Sequence, residues 1–156
     1  MPDLVRTRCT EAVTQAIMQV NWLARRQLHN ALTARGLTIP QFVVLLHLHQ
    51  QRGGCAVHEI AKATMQERAT MTGILDRLEQ AGLVHRQRSQ TDRRRWIITL
   101  TDAGTHLLQA TQRENHEHLK RALADFSLDD LAQFERLLGR LSNALQVPLP
   151  KEEDVA

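Results

Sequence analysis

Tyrosine is absent from this 156-residue sequence, which has only three phenylalanines and two tryptophans. A chain so poor in rings is badly equipped to stack bases, which argues against a binder of RNA or of single strands. Cysteine is as scarce. Cys9 and Cys55 form neither a Cys-x-x-Cys pair nor a disulfide framework. No apolar run approaches the roughly 20 residues of a membrane-spanning helix, and Met1-Pro2-Asp3 does not open a basic-then-apolar leader. The expectation is a cytoplasmic protein with no membrane partner. A Gly-rich phosphate loop, a nucleophile–base pair and a run of metal ligands are also missing, so neither an enzyme nor a cofactor is expected. The histidine pairs His47-x-His49 and His116-x-His118 do not change this, because residues two apart on a helix point about 200° apart.

What the chain does have is positive charge in one place. Net charge is only +3, yet five arginines fall between Arg86 and Arg95 with one acid, Asp92, among them. The far C-terminus, Lys151-Glu152-Glu153-Asp154, is acidic. Local charge of this kind marks a contact surface for a polyanion.

From Leu4 to about Ala34, apolar residues recur at helical spacing (Val13, Ile17, Val20, Leu23, Leu28, Leu32). Such a helix is roughly 45 Å long, more than a small core covers, and it calls for a partner. Thr38-Ile39-Pro40-Gln41 has capping-box spacing with proline in the first turn. The helix it opens is expected to bury Phe42, Val43, Leu45, Leu46 and Leu48. A short helix over about Val57–Ala63 leads through a tight break to a longer one, from near Gln66 to Ala81, with Met71, Ile74, Leu75 and Leu78 inward. Thr64 and Glu67 have the spacing to start it early. Gly82 fits the left-handed position after its end.

The period then changes. Trp96, Ile98 and Leu100 alternate at strand spacing, and Leu83–Arg88 can pair with them as a hairpin. Thr101 or Asp102 caps a following helix, and Ser127-Leu128-Asp129-Asp130 caps a last one carrying Leu131, Phe134, Leu138, Leu141 and Leu145. The expected architecture is mainly α with a small β-hairpin: a winged helix-turn-helix with long N- and C-terminal helices, which the family resemblance given below implies are dimerisation helices. Its parts are an N-terminal helix (1–36), a DNA-binding lobe (37–101), dimerisation helices (102–147) and an acidic tail (148–156).

One helix fits a major groove about 12 Å wide, and in a helix-turn-helix the first helix braces the second there. Pointing away from the apolar stripe are Arg68, Ala69, Thr72, Gly73, Asp76 and Arg77. Arg68 has the planar fork that a guanine edge accepts, and Thr70 and Thr72 suit phosphate or base edges. The bland reading is an amphipathic helix in a helical core. At the hairpin, Arg88, Arg93, Arg94 and Arg95 form a thin basic tip that a narrow minor groove attracts. Here the bland reading is a solvated charged turn.

Asp92-Arg93-Arg94-Arg95-Trp96-Ile97-Ile98-Thr99-Leu100-Thr101 resembles the MarR-family signature, an Asp-x-Arg followed by a strand ending in Leu-Thr. Leu75 to Val84 resembles that family's recognition helix entering the wing, and Leu37 to Phe42 its second helix. The resemblance implies a homodimer reading double-stranded DNA at a short palindrome, as a ligand-responsive repressor. It implies Arg94 as the minor-groove arginine with Asp92 orienting it, and Arg68, Thr70 and Thr72 at the major groove. Members often carry Gly-Val-Ser where this chain has Met65-Gln66-Glu67, and a long side chain in place of Gly73. These departures imply an operator sequence of its own.

The family also often binds a small-molecule effector between the dimerisation helices and the DNA lobe. Met18, Gln19, Trp22, Arg26, His29, Val44, Leu45 and His47 are candidates by position, although Trp22 on a long helix equally suits core or dimer packing. Alternatives are a metal- or redox-responsive regulator of the same fold, the latter through Cys9, and a winged-helix module that docks an acidic protein.

Overall fold

Thr38 starts the second helix as its spacing predicts: its hydroxyl accepts from the Gln41 amide, and the Gln41 side chain accepts from the Thr38 amide at 2.8 Å. The structure, a computed structural model, describes residues 2–51, 54–89 and 95–146. Its elements run α1 (Pro2–Thr33), α2 (Ile39–Gln50), β1 (Cys55–Ala56), α3 (Val57–Ala63), α4 (Arg68–Gln80), β2 (Val84–Arg88), β3 (Trp96–Leu100), α5 (Asp102–Ala122) and α6 (Leu128–Leu145). They form two compact units that divide between Glu117 and His118. The acidic tail and the hairpin tip, with Asp92, Arg93 and Arg94, lie outside the described residues.

In the first unit one core takes side chains from every layer. Leu32 of α1, Val44 and Leu45 of α2, Ile60 of α3, Met71, Leu75 and Leu78 of α4, Ile98 of β3 and Leu108 of α5 are fully buried. Each contributes about 1.5–3 kcal/mol by leaving water. The core therefore reaches past residues 37–101 into the end of α1 and the start of α5. Arg35, just beyond α1, donates to Glu114 of α5 and ties the same two ends together.

The buried stripe of α2 is Gln41, Val44, Leu45 and Leu48, with Phe42 beside it. Val43, expected inside, is 38% exposed, whereas Val44 is 0% exposed. An unbroken apolar run carries no phase. The phase comes from the cap, which places residues 41, 44, 45 and 48 on one face.

The sheet has three antiparallel strands in the order β1-β3-β2, one more than the expected hairpin. Cys55 faces Ile98 across β1 and β3, and Val84 faces Leu100 across β2 and β3. The α4 C-terminus enters β2 through Gly82 at φ +69°, with the Leu83 amide donating to Leu78 O at 2.9 Å. Thr101 joins this corner to α5: its hydroxyl donates to Gly82 O at 2.7 Å and accepts from the Gly104 amide at 3.0 Å.

The same helix-ending bonds close α3, with Gln66 N donating to Ala61 O at 2.9 Å, but the residue in the left-handed position is Met65, at φ 52°. An L side chain there costs about 1–2 kcal/mol relative to ordinary helical backbone, and glycine avoids that cost. Met65 is 93% exposed, so its side chain returns almost no packing. Met65→Gly is expected to stabilise the protein by about 0.5–1 kcal/mol after the entropy of the freer unfolded chain is subtracted. An unchanged or lower urea midpoint would contradict this.

The second unit holds the end of α5 and α6. Ser127 caps α6, its hydroxyl accepting from the Asp130 amide at 3.1 Å while Asp130 accepts in return. The Ser127 hydroxyl and amide hold the Asp130 carboxyl below the usual carboxylate range. None of the residues of α6 is buried, and Phe134, Leu137 and Leu138 stand exposed.

Candidate nucleic-acid interface

The α3–α4 pair is built so that one face of α4 is committed to the core and the other is bare. Met71, Ile74, Leu75 and Leu78 are buried, while Arg68, Ala69, Thr70, Thr72, Gly73 and Arg77 are all exposed. A Cβ added at Gly73 would meet nothing within 4 Å, so the middle of this face is flat and open. Glu67 is the N-cap residue, yet its side chain makes no capping bond. The early start expected from Thr64 and Glu67 does not occur. The Thr64 hydroxyl instead donates back to Ile60 O at 2.8 Å, and α4 begins at Arg68. The first amides of α4 are thus left without a side-chain acceptor from the N-cap residue, which suits an anionic neighbour.

Asp76, expected on the outward face, is turned aside. It accepts from Arg86 of β2, whose Nε also lies 3.1 Å from Glu79 Oε2. This Arg86 clamp fastens α4 to the hairpin and offsets one of the two negative charges there, so less of their field reaches a phosphate backbone. The clamp escaped the sequence reading. Its signal was the acid pair at i, i+3 on α4, Asp76 and Glu79, with arginines on the strand that follows.

At the hairpin root, the Arg88 guanidinium lies over the Trp96 ring, 4.1 Å from its centroid, a cation–π contact across paired strands. Arg95 is exposed and donates to Glu59 of α3 at 3.1 Å. Arg88 and Arg95 therefore stand at the wing root, where Arg95 shares a notch with Arg68 and Thr72 of α4.

The candidate effector residues are not brought to one place. Met18, Trp22 and Arg26 lie on the exposed face of α1, with Arg26 over the Trp22 ring at 5.4 Å. His29 lines a depression of about 440 Å³ together with Arg25, Ile39, Val43 and Gln66. Val44 and Leu45 are fully buried core residues. His47 sits against the buried Cys55, Nε2 to Sγ 3.7 Å. Burial, with a smaller effect from Glu59, pushes the Cys55 thiol up, which disfavours the reactive thiolate. Cys9 is exposed on α1. Among the described residues no three His, Cys, Asp or Glu side chains gather as a metal site.

The model of the MarR family matches residues 37–96, from the turn before α2 to the start of β3. The chain is 32% identical over 135 residues to the HTH-type transcriptional regulator PecS of Dickeya dadantii, covering 85% of this chain and 81% of that one. The chain belongs to the MarR family. A MarR family protein from Bacillus stearothermophilus has the same fold, with a TM-score of 0.82, 25% identity, and coverage of 90% of this chain and 97% of that one. A mutant of Staphylococcus aureus MepR solved bound to an oligodeoxyribonucleotide is 23% identical, with a TM-score of 0.66 over 86% of this chain and 98% of that one, and is similar in fold. This MarR protein is a winged helix-turn-helix, DNA-binding transcriptional regulator. Its wing is β2–β3, and α3 and α4 are the helix pair that precedes it. None of the described helices is long and apolar enough to cross a membrane.

Proposed function

We propose that this MarR protein acts in the cytoplasm, without catalysing a reaction, as a homodimeric repressor that reads a short palindrome and is released by a small lipophilic anion. The observation that carries the reading is the bare face of α4. Arg68, Thr70, Thr72 and Arg77 are exposed there, and Asp76 is withdrawn onto Arg86. The wing tip with Arg93 and Arg94 enters the adjacent minor groove, Asp92 orienting Arg94, while Arg95 stays at the wing root.

Dimerisation is supported by apolar surface with no cover within either unit. Val13, Ile17, Val20 and Leu23 stand exposed on α1, as do Phe134, Leu137 and Leu138 on α6. Surface of this kind marks a partner interface. For the effector, the depression beside α1 sets Arg25 and His29 against Ile39 and Val43. A cation over an apolar wall suits an aromatic carboxylate or phenolate. A relative of this chain from Escherichia coli, 26% identical over 147 residues, is named a homoprotocatechuate degradative operon repressor, which agrees with that chemical class.

The test has two arms. Duplexes selected from a random pool are expected to share a two-fold symmetric motif, and sedimentation equilibrium should give twice the chain mass. A concentration-independent monomer would remove the two-fold readout. In a thermal-shift panel, aromatic acids should raise the melting temperature of the wild type and not of Arg25→Ala.

A further inference from the structure

Between the start of α3, the start of α4 and the wing root lies a notch of about 300 Å³ lined by His58, Arg68, Thr72, Arg95 and Trp96. Two guanidiniums and an imidazole line this space, and Arg68 is shared between it and the groove face of α4; the Thr72 hydroxyl donates to Arg68 O at 3.1 Å. That is a donor set for a phosphodiester. In the DNA-free protein one member of the set, Arg95, already holds an anion. Glu59 Oε2 accepts from the Ala56 amide at 2.8 Å, and its Oε1 accepts from Arg95 Nη2 at 3.1 Å, with His58 Nε2 3.9 Å away. The two side chains of the pair are 45% and 49% exposed, so an incoming DNA strand can reach them. The Ala56 amide first, and Arg95 and His58 after it, hold the Glu59 carboxyl below the usual range, so it is ionised at neutral pH.

We propose that Glu59 is a built-in counter-ion of the wing: in the free protein its carboxylate occupies Arg95, and a backbone phosphate entering the notch takes its place. The proposal rests on the DNA-binding reading of α4 and the wing. An ordinary phosphate-contacting arginine adds to affinity by releasing condensed cations from the DNA. Arg95 gains no such release, because each phosphate it neutralises sets free a carboxylate that attracts a cation in turn. A duplex of arbitrary sequence, held by charge alone, therefore gains nothing from Arg95. An operator held in register by α4 still uses Arg95 to fix the wing. Glu59 thus raises the ratio of specific to non-specific binding.

The test compares wild type, Glu59→Gln, Arg95→Gln and the double variant by fluorescence anisotropy on a labelled duplex of random sequence, across a salt series. Glutamine retains the acceptor for the Ala56 amide, and thermal melting checks that it does. With Glu59→Gln, the slope of log K against log[salt] is expected to steepen by about 0.9 for each engaged lobe. Affinity at moderate salt is expected to rise roughly three- to tenfold. Arg95→Gln should leave the slope unchanged in the wild-type background and abolish the added slope in the Glu59→Gln background.

A wild-type slope that falls by about 0.9 with Arg95→Gln overturns the proposal, and this arm stands even if Glu59→Gln is destabilised. A gain from Glu59→Gln that survives intact without Arg95 also overturns it, since Glu59 would then act through the general field. If the wild type binds duplex with a salt slope that Glu59→Gln leaves unchanged, only the counter-ion role is lost. If the wild type shows no salt-dependent binding, the DNA-binding reading itself fails.

Discussion

Arg68→Ala is expected to weaken binding to a selected duplex by roughly 10- to 100-fold, the ~1–3 kcal/mol that a bidentate contact to a guanine edge contributes. Arg68 is the first residue of α4 and is exposed, and no acid pairs with it among the described residues. Among the described residues its guanidinium is therefore uncommitted. The N-terminal residues of a recognition helix are those that meet base edges. On a scrambled duplex the same substitution should cost much less, because only a diffuse charge is lost. Arg68→Lys separates the two contributions: the charge remains and the planar fork is gone. It should bind scrambled duplex as the wild type does and lose most of its preference for the selected site. Equal losses on both duplexes with Arg68→Ala would assign Arg68 to phosphate and move base reading elsewhere on the helix.

Gly104→Ala should be the most damaging single-methyl change in the wing region. A Cβ at Gly104 would sit 2.1 Å from the Leu83 carbonyl oxygen and 3.1 Å from its carbon. Both atoms are backbone, so no rotamer change relieves the contact. The start of α5 would have to move off the corner that joins α4 to β2, breaking the Thr101 bonds to Gly82 and Gly104. Overpacking of this kind costs about 3 kcal/mol or more, or roughly 10 °C in melting temperature for a chain of this size. Gly73→Ala is the matched control. Its methyl meets nothing within 4 Å, and removing a helix-interior glycine should stabilise the free protein by about 0.5–1 kcal/mol. A Gly104→Ala protein that melts like the wild type would show that the corner is looser than this geometry.

The contrast between α4 and α2 shows what was legible in the sequence. In α4, apolar residues at 71, 74, 75 and 78 alternate with polar ones, so the pattern alone identifies the bare face. In α2 the run Phe42-Val43-Val44-Leu45-Leu46 is apolar all round, and Val43 was misplaced because nothing in the run marks its orientation. The capping boxes at Thr38 and Ser127 were legible because hydroxyl and acceptor are three residues apart and satisfy each other's backbone. Strand β1 was not, since a two-residue strand has no period and exists only because Ile97 and Ile98 present an edge to it. The left-handed turn at Met65 was hidden by an unlikely residue type. The resemblance to a family that often has glycine there was the only hint. Arg86 with Asp76 and Glu79, and Glu59 with Arg95, were missed for a common reason. Ion pairs between separate elements depend on how those elements pack, and charge patterns along the chain do not record it.

The measurement that most directly tests the role of α4 is interference by guanine N7 methylation in a selected duplex, which blocks the major-groove edge and leaves the phosphates untouched. The account predicts that a methylated guanine in each half-site excludes wild-type protein from the bound fraction and has no such effect on Arg68→Ala. Binding by the wild type that is indifferent to N7 methylation at every guanine of the site would contradict it.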